Sequence, residues 1–348
     1  DTFDSCRVSL RSTRPTKLPE NQSRRKTMRI LQITLTMSLI LFFAAAASAK
    51  IIFSSSRNGN SDIYVMEDDG SNITQITEKP FSGWRPRWSP NGKKIAFIRD
   101  TTPFDLPRNP NVFLMNPDGT NAQQLTDYDG YIGDFCLSPD GKKVLLSKAT
   151  IGMILIDLDS GERQEIIRSH VLQFDWSPDG KQIVYVNDDH WFDEKNLWIV
   201  DANGDNQRAW TQPDPEKGAL NRLHPRWSPD GKQMLYTESD WNAGISRYII
   251  RNIDDDNTQI LEIPDNWAPF SVDWMDENRS VLFSAYDFNK REERPLVVEI
   301  YKYDISSGEI TQLTNGSHAR WVSDDVLSVS PSGKQSVRWG ELKKAYSD

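Results

Sequence analysis

The sequence is short of the residues that build covalent cross-links and common catalytic centres. Its 348 residues include two cysteines, Cys6 and Cys136, and four histidines. It also lacks the Gly-x-Ser-x-Gly elbow of serine hydrolases, the His-Glu-x-x-His pair of zinc peptidases and the Gly-rich phosphate-binding loop. No disulfide is expected in the exported protein, because Cys6 lies upstream of a predicted export signal. The sequence therefore favours a fold stabilised by packing and a protein that binds rather than catalyses.

Positive charge is scarce once the N-terminal segment is set aside. The first 49 residues hold eight lysines and arginines and three acidic residues, whereas residues 50–348 hold 33 basic and 47 acidic side chains. Such a negative excess repels phosphate backbones, so we expect no nucleic-acid partner. Apolar residues nonetheless make up 37% of the chain, with 12 Trp, 10 Tyr and 14 Phe. This composition is typical of a chain with a packed core.

A long apolar run lies near the N-terminus. It extends from Ile30 to Ala47, follows a cluster of basic residues and ends in small residues before Lys50. This order is typical of a cleaved secretory signal peptide. We therefore predict a leader outside the native protein over residues 1–27, translation from Met28, a signal peptide over residues 28–49 and one mature domain over residues 50–348. An uncleaved membrane anchor is the alternative, because about 18 apolar residues approach the length of a membrane span.

A five-residue anchor recurs along the predicted mature chain. Four clear copies read Trp or Leu, then Ser-Pro, then Asp or Asn, then Gly; two degenerate copies keep the tryptophan. The six anchors begin at Trp88, Leu137, Trp176, Trp227, Trp274 and Trp321. Their spacings of 49, 39, 51, 47 and 47 residues match the length of a four-stranded propeller blade. Pro, Asp or Asn, and Gly at these positions form a tight turn between antiparallel strands. Six anchors therefore predict six blades.

Three further strand patterns accompany the anchors, and each also occurs six times. An apolar run such as Ile183–Val186 predicts a second strand, a run such as Ile63–Met66 before an Asp-Gly turn predicts a third, and Gln-Leu-Thr-like segments predict a fourth. The mature chain opens with a second strand at Ile51–Phe53 and closes with the sixth anchor. We therefore predict that one blade is shared between the N- and C-termini, which removes free sheet edges. Val326–Val329 is a competing candidate for a second strand.

The Trp-Ser-Pro-Asp-Gly turn, the Asp62–Met66 strand and the segment that ends Gln-Ile-Thr77 together resemble the WD40-like propeller repeats of the TolB family. The resemblance extends from Ile51 to about Trp321. It implies an all-β, six-bladed TolB-like propeller with four-stranded antiparallel blades. TolB itself carries an α/β domain before its propeller and works with an outer-membrane lipoprotein, whereas in this chain the propeller pattern starts directly after the predicted signal. The resemblance implies an interaction module of the cell envelope.

Charged side chains recur at fixed positions before the anchors. Three segments that end on an anchor tryptophan have Arg or His at the first of four positions and Arg at the third. At that third position, two other blades carry Asp. The start of an innermost strand lies near a mouth of the central channel, where ligands often bind. The predicted ligand-binding residues are therefore Arg85, Arg87, Asp175, His224, Arg226, Asp273, His318 and Arg320.

Three roles fit these residues. Arg87 and Arg320 fall on adjacent blades across the closure, and we hypothesise that together they attract a carboxylate or a phosphate. The structural alternative is that the Arg and Asp residues form ion pairs that align neighbouring blades. A metal site built from His224 and His318 resembles the histidine sites of propeller lyases that act on pectin fragments, although the two blades lie two apart in the predicted ring.

These features together predict a non-catalytic propeller that binds an envelope protein or peptide and needs no cofactor. We expect it to be periplasmic or secreted, monomeric, and without stable membrane insertion once the signal is cleaved. Lys50 and Ile51, and not a cysteine, come immediately after the predicted cleavage point, so lipid attachment is not expected. The alternative is a carbohydrate-active propeller, a lyase or hydrolase, that uses a metal at the channel mouth.

Overall fold

Six four-stranded antiparallel sheets make up the described part of the chain, and each sheet forms one blade of a propeller. The computed structural model describes residues 51–77, 82–102, 109–127, 131–148, 152–188, 195–212, 220–240, 243–290, 297–323 and 326. The predicted leader and signal peptide, and residues 327–329 of the competing second strand, lie outside these residues.

The strands of each blade follow one another from the channel outward. Blade 1 contains β24 (Ser317–Trp321), β1 (Ile51–Ser55), β2 (Asp62–Met66) and β3 (Thr74–Gln75), and blade 2 contains β4 (Trp84–Trp88), β5 (Ile95–Asp100), β6 (Pro110–Met115) and β7 (Gln123–Gln124). Blade 3 contains β8 (Ile132–Leu137), β9 (Lys143–Lys148), β10 (Gly152–Asp157) and β11 (Arg163–Ile167), and blade 4 contains β12 (Val171–Trp176), β13 (Gln182–Asn187), β14 (Asn196–Asp201) and β15 (Arg208–Ala209).

Blades 5 and 6 have the same order. Blade 5 contains β16 (Leu220–Trp227), β17 (Gln233–Asp240), β18 (Ile245–Asn252) and β19 (Thr258–Leu261), and blade 6 contains β20 (Trp267–Met275), β21 (Ser280–Asp287), β22 (Glu299–Asp304) and β23 (Ile310–Asn315). One turn of 3-10 helix, Phe288–Lys290, follows β21.

Blade 1 is built from both ends of the described chain. Its innermost strand β24 pairs antiparallel with β1, so that Trp321 lies opposite Ile51 and Arg320 opposite Ile52. The predicted all-β, six-bladed propeller is therefore confirmed, and so is the prediction of one shared blade. The second-strand position of that blade is occupied by Ile51–Ser55 rather than by the Val326–Val329 segment.

The anchor turn is held by its serine. In blade 4, Ser177 Oγ donates to Asp179 Oδ1 at 2.7 Å and accepts the backbone N–H of Gln182 at 2.9 Å. The N–H of Gly180 donates to the Ser177 carbonyl at 2.9 Å, and Gly180 has a φ of 71°, as the left-handed end of this turn requires. The same serine contacts recur at Ser89, Ser138 and Ser228. The repeated letters therefore encode a repeated hydrogen-bonded hairpin.

The threonine of the Gln-Leu-Thr pattern fastens the outer strand pair. In blade 4, Thr211 Oγ1 accepts the N–H of Leu197 at 2.9 Å and donates to Asn196 Oδ1 at 3.0 Å. Equivalent contacts join Thr77 to Asp62 and Ile63, and Thr126 to Asn111 and Val112. The threonine hydroxyl thus satisfies a backbone donor where the fourth strand is short.

The hydrophobic core lies between blades rather than within them. Each of the six clusters of buried apolar side chains in the described part combines residues of two neighbouring blades. The anchor tryptophans take part: Trp176, Trp227 and Trp274 are buried in three of these clusters. A fully buried large apolar side chain stabilises a fold by about 1.5–3 kcal/mol. Stacking of blades therefore stabilises the ring and positions the six innermost strands around one channel.

Candidate functional site

One cavity lies where the six innermost strands converge, and every blade contributes to its lining. The residue three positions before each anchor lines it, and these six form the minus-three ring: His318, Arg85, Asp134, Gln173, His224 and Ser271. The residues one position before each anchor form the minus-one ring: Arg320, Arg87, Cys136, Asp175, Arg226 and Asp273. The three arginines of the minus-one ring and Pro86 complete the lining. The cavity volume of about 20 Å³ suits a water molecule or the tip of one side chain.

Three residues of the minus-three ring have unusual backbone conformations. Arg85, His224 and His318 have φ angles of 53°, 56° and 53°, a region that residues with a Cβ rarely adopt. They belong to the three blades that carry Arg in the minus-one ring. The pairing of β4 with β5, of β16 with β17 and of β24 with β1 shifts register at this point, as a β-bulge does. The bulge redirects these side chains toward the cavity.

The backbone N–H groups at these bulges bond to the preceding blade. The N–H of His224 donates to Gln173 Oε1 at 3.1 Å, and the N–H of His318 donates to Ser271 Oγ at 3.1 Å. The N–H of Arg85 donates to Ser54 Oγ on β1 at 3.0 Å. Each strained residue is thus held by a side chain from another blade, so its conformation depends on the closed ring.

Arg87 is paired with a carboxylate of the next blade. Its Nη2 donates to both oxygens of Asp134 at 3.2 Å, and Nη1 of Arg85 lies 3.5 Å from Oδ1 of the same carboxylate. Both Arg87 and Asp134 are buried. Burial raises the pKa of Asp134, but Arg87 and then Arg85 outweigh burial and hold the pKa below its usual range. Arg87 therefore forms an ion pair between neighbouring blades, as expected if these residues align the blades.

Arg226 and Arg320 have a different environment from Arg87. Nη1 of Arg226 donates to the carbonyls of Pro225 at 2.7 Å and Phe174 at 3.4 Å. Nη1 of Arg320 donates to the carbonyls of Ala319 at 3.0 Å and Val272 at 3.2 Å. Within the described ranges, neither guanidinium lies within 4.0 Å of a carboxylate, and the buried Nε of each has no hydrogen-bond partner. These two side chains are 4% and 8% exposed, respectively.

Burial and mutual repulsion act on these two arginines. Burial, followed by the charge of Arg226, lowers the pKa of Arg320 to about 9. Burial, followed by the charge of Arg87, also lowers the pKa of Arg226. Asp134 and Asp273 oppose this fall for both arginines but do not offset it. The cavity wall therefore carries positive charge that the neighbouring carboxylates do not balance.

The two histidines of the minus-three ring are neutral at physiological pH. Burial, followed by Arg226, lowers the pKa of His224 to about 3, and burial, followed by Arg85, lowers the pKa of His318 well below its usual value. Nδ1 of His224 lies 3.2 Å from Thr237 Oγ1, and Nδ1 of His318 lies 3.1 Å from Ser317 Oγ. Each imidazole is oriented by a hydroxyl and adds no charge to the cavity.

Asp175 and Asp273 serve the next blade instead of lining the cavity. Oδ2 of Asp175 accepts the N–H of Trp227 at 3.1 Å, and Oδ2 of Asp273 accepts the N–H of Trp321 at 3.3 Å. Burial raises the pKa of Asp175 although Arg226 and Arg87 oppose it. These contacts position the arginine-bearing strands of blades 5 and 1.

The structure brings together six of the eight residues that the sequence predicted for the site. Arg85, Arg87, His224, Arg226, His318 and Arg320 line one cavity, whereas Asp175 and Asp273 lie beside it. Sequence reasoning missed Asp134, Gln173 and Ser271. Their signal is the same register, because each lies three positions before its anchor, but none of the three is the Arg or His that marks this position in the other blades.

Clusters of three metal-ligating side chains and helices able to span a membrane are both absent from the described residues. No three His, Cys, Asp or Glu side chains come close enough there to hold a metal ion together. No helix in those ranges is both long enough and apolar enough to cross a membrane.

Comparison with known protein sequences identifies a family. The family model described as "TolB beta propeller domain" matches residues 44–219, about half of the chain. Dipeptidyl-peptidase 5 of Porphyromonas gingivalis is 24% identical over 315 residues, which cover 74% of this chain and 44% of the peptidase. The uncharacterized protein Atu1656 of Agrobacterium fabrum is 40% identical over 60 residues, or 17% of this chain and 20% of that protein. The chain spans less than half of either curated relative.

Comparison with solved structures gives the same fold. TolB from Acinetobacter baumannii aligns with a TM-score of 0.63 and 17% identity over 78% of this chain and 66% of that one. An oligogalacturonate lyase in complex with manganese aligns with a TM-score of 0.52 and 14% identity over 78% of this chain and 75% of the lyase. At these identities the likeness extends to the fold alone.

Proposed function

The chain belongs to the TolB beta-propeller domain family, and from this premise we propose that it is an exported, non-catalytic envelope protein that binds a protein or peptide through its channel. The observation that carries the proposal is the size and chemistry of the cavity. Its polar and charged side chains come from all six blades, yet its volume of about 20 Å³ admits only the tip of a side chain or a chain end. A ligand that inserts a small group and rests on the surrounding face is typically a macromolecule.

The proposed location follows from the N-terminal sequence. Residues 28–49 have the basic start, apolar centre and small-residue end of a signal peptide. The negative excess of residues 50–348 supports a protein or peptide partner over a nucleic acid. Rigid inter-blade packing supports a binding role, since a propeller holds its mouth residues in place before the partner arrives.

A second candidate is a carbohydrate-active propeller that uses a metal. The observation that favours it is that His224 and His318 line the same cavity and are held neutral, which is the form in which imidazole binds metals. The sheet order places them two blades apart, with blade 6 between them. This candidate predicts that the protein turns over an oligosaccharide and that a chelator abolishes the turnover.

Affinity capture with matched charge reversals tests the proposed function. The full-length protein, purified after export, is immobilised and exposed to an envelope extract of the organism that encodes it. Arg85→Glu places a negative charge beside Asp134 at the cavity, and we expect it to abolish capture of a defined partner. Arg168→Glu reverses a side chain that is 88% exposed on the outer side of blade 3 and is expected to capture as wild type does. Melting curves of both variants verify folding.

The outcome separates the two candidates. The binding module is supported if Arg85→Glu abolishes capture of the partner, Arg168→Glu retains it and a chelator leaves it unchanged. Equal capture of the partner by both variants would show that the partner does not bind through the channel. Chelator-sensitive cleavage of an oligosaccharide, lost in His224→Gln and His318→Gln, favours the enzyme instead.

A further inference from the structure

The two rings contain more cations than anions. They hold four arginines, Arg85, Arg87, Arg226 and Arg320, against three carboxylates, Asp134, Asp175 and Asp273. The histidines stay neutral, so the formal charge of the rings is about one positive unit at neutral pH. Asp134 pairs with Arg87 and Arg85, Asp175 accepts a backbone N–H and lies 4.0 Å from Nη1 of Arg87, and Asp273 accepts a backbone N–H. The uncompensated charge therefore resides on Arg226 and Arg320.

In both of these guanidinium groups Nη1 is hydrogen-bonded, whereas the other two nitrogens have no hydrogen-bond partner in the described residues. In each arginine, Nη1 donates to the carbonyl of the residue directly before it in the chain and to a carbonyl of the preceding blade. Nε of each is buried without a partner, and no hydrogen bond from either Nη2 is formed within the described residues. The edge made by Nε and Nη2 is one that a carboxylate binds with two parallel hydrogen bonds.

The twin arrangement argues for a binding site rather than for a structural contact. Blades 4 and 5 form one copy, in which Gln173 and Asp175 hold the strand of Arg226, and blades 6 and 1 form the other, in which Ser271 and Asp273 hold the strand of Arg320. A buried cation without an anion destabilises a fold. A buried charge left without a partner in this way is typical of functional sites.

We propose that Arg226 and Arg320 bind one carboxylate group of the ligand inside the channel. The proposal rests on the binding function proposed above and names the chemical group that enters the cavity. A carboxylate fits better than a phosphate in two respects. Its single charge matches the single excess positive charge, and a planar group with two oxygens suits a cavity of about 20 Å³. A carboxylate already binds another arginine of the minus-one ring, because Nη2 of Arg87 donates to both oxygens of Asp134.

The first arm of the test titrates the full-length protein with acetate at constant ionic strength by calorimetry. We expect one saturable site. Arg226→Gln and Arg320→Gln are each expected to weaken acetate binding at least tenfold, because each removes one charged guanidinium donor. Arg226→Lys and Arg320→Lys keep the charge but lose the fork, and we expect weaker binding than in wild type from them too. Arg168→Gln is the control and is expected to bind as wild type does.

The second arm identifies the source of the carboxylate. A peptide of the captured partner that ends in a free carboxylate is compared with its C-terminal amide, and inorganic phosphate is titrated separately. Tighter binding of the acid than of the amide, lost in both arginine variants, assigns the site to a chain end. If the acid and the amide bind equally and acetate binding is intact, the site is assigned to an acidic side chain or to a small free carboxylate. Competition with glutamate and with acetate distinguishes these two sources.

Several results would overturn the proposal. Acetate that fails to saturate, or that binds folded Arg226→Gln and Arg320→Gln as it binds wild type, removes the site. Phosphate that binds more tightly than acetate shows that the anion class is wrong. Partner capture that survives in both variants, while acetate binding is lost, overturns this inference and leaves the proposed function standing. Saturable, arginine-dependent acetate binding without any captured partner contradicts the proposed function alone.

Discussion

At the scale of single residues, the same side chain has different roles at equivalent positions. Arg87, Arg226 and Arg320 all lie one position before an anchor, but only Arg87 has a carboxylate within hydrogen-bond distance in the described structure. The difference comes from the next blade, which supplies Asp134 beside Arg87 but Ser271 beside Arg226 and Arg85 beside Arg320 at the equivalent position. The partner of each arginine lies about one blade away in sequence, so the arginine's own surroundings in the chain do not reveal its charge balance.

The two half-buried histidines of the cavity predict a pH dependence of stability. Above pH 6.5 His224 and His318 are neutral in both the folded and the unfolded states. As the pH falls through 6.5 the unfolded chain takes up protons, whereas folded His224 stays neutral to about pH 3 because of burial and the charges of Arg226, Arg85 and Arg320. The free energy of unfolding should therefore fall by about 1.4 kcal/mol per pH unit for each histidine.

Chemical denaturation between pH 6.5 and pH 5 measures this slope. Each of His224→Gln and His318→Gln should remove about half of it, and the double variant most of it. Asp134 also lies near both rings, but the lowered pKa of its carboxyl places its titration below this window. A double variant with the wild-type slope would contradict the assignment of neutral histidines.

At the scale of elements, a turn glycine is required by its backbone conformation and, in some turns, also by close contact with the neighbouring blade. The Asp-Gly turn between β6 and β7 places Gly119 at a φ of 82° and against the neighbouring blade, where a Cβ would lie 2.1 Å from the carbonyl oxygen of Ile76. Gly59, in the turn between β1 and β2, has a φ of 88° with nothing within 4 Å of the same point. The two glycines therefore share a backbone requirement and differ in their surroundings.

This pair separates backbone strain from blade packing. Gly59→Ala should cost about 1–2 kcal/mol of unfolding free energy, which is the usual penalty for a Cβ in left-handed backbone. Gly119→Ala should cost about 1–3 kcal/mol more, because the turn must move away from blade 1. Denaturant titration of both variants gives the difference. Equal losses would show that the turn of blade 2 adjusts without disturbing its neighbour.

At the scale of the whole molecule, closure of the ring is what assembles the candidate site. Strand β24 contributes His318 and Arg320 to the cavity and completes the hydrogen bonding of β1. Without it, β1 would present an unpaired edge and the apolar cluster between blades 6 and 1 would lose Ala319 and Trp321. Site and stability therefore depend on the same strand.

Truncation tests this dependence. A chain that ends at residue 315 lacks β24, and we expect it to lose the cooperative unfolding transition and to aggregate on size-exclusion chromatography. A chain that ends at residue 326 keeps every described strand and should retain the transition of the full-length protein. A cooperative, monomeric 1–315 chain would show that the ring folds without its closing strand.

The architecture was predictable because its signals are local. The anchor turns depend on residues within five positions of one another, as the contacts of Ser177 with Asp179 and Gln182 show, and their recurrence sets the number of blades. The position of Ile51–Ser55 as a second strand likewise follows from the order of patterns along the chain. The six channel-lining residues found from sequence lie three positions or one position before an anchor, since a repeated strand places equivalent residues around one axis.

Sequence alone thus determined the all-β class, the six blades, the shared blade and the register of the channel, because each depends on the spacing of a short repeated pattern. Only the tertiary structure decided which arginines are neutralised. Arg87 was grouped with Arg320 from sequence, yet Asp134 pairs with Arg87, and Arg226 is the arginine that shares the unpaired environment of Arg320. That choice depends on distances of a few ångströms between side chains from different blades, and no local pattern encodes them.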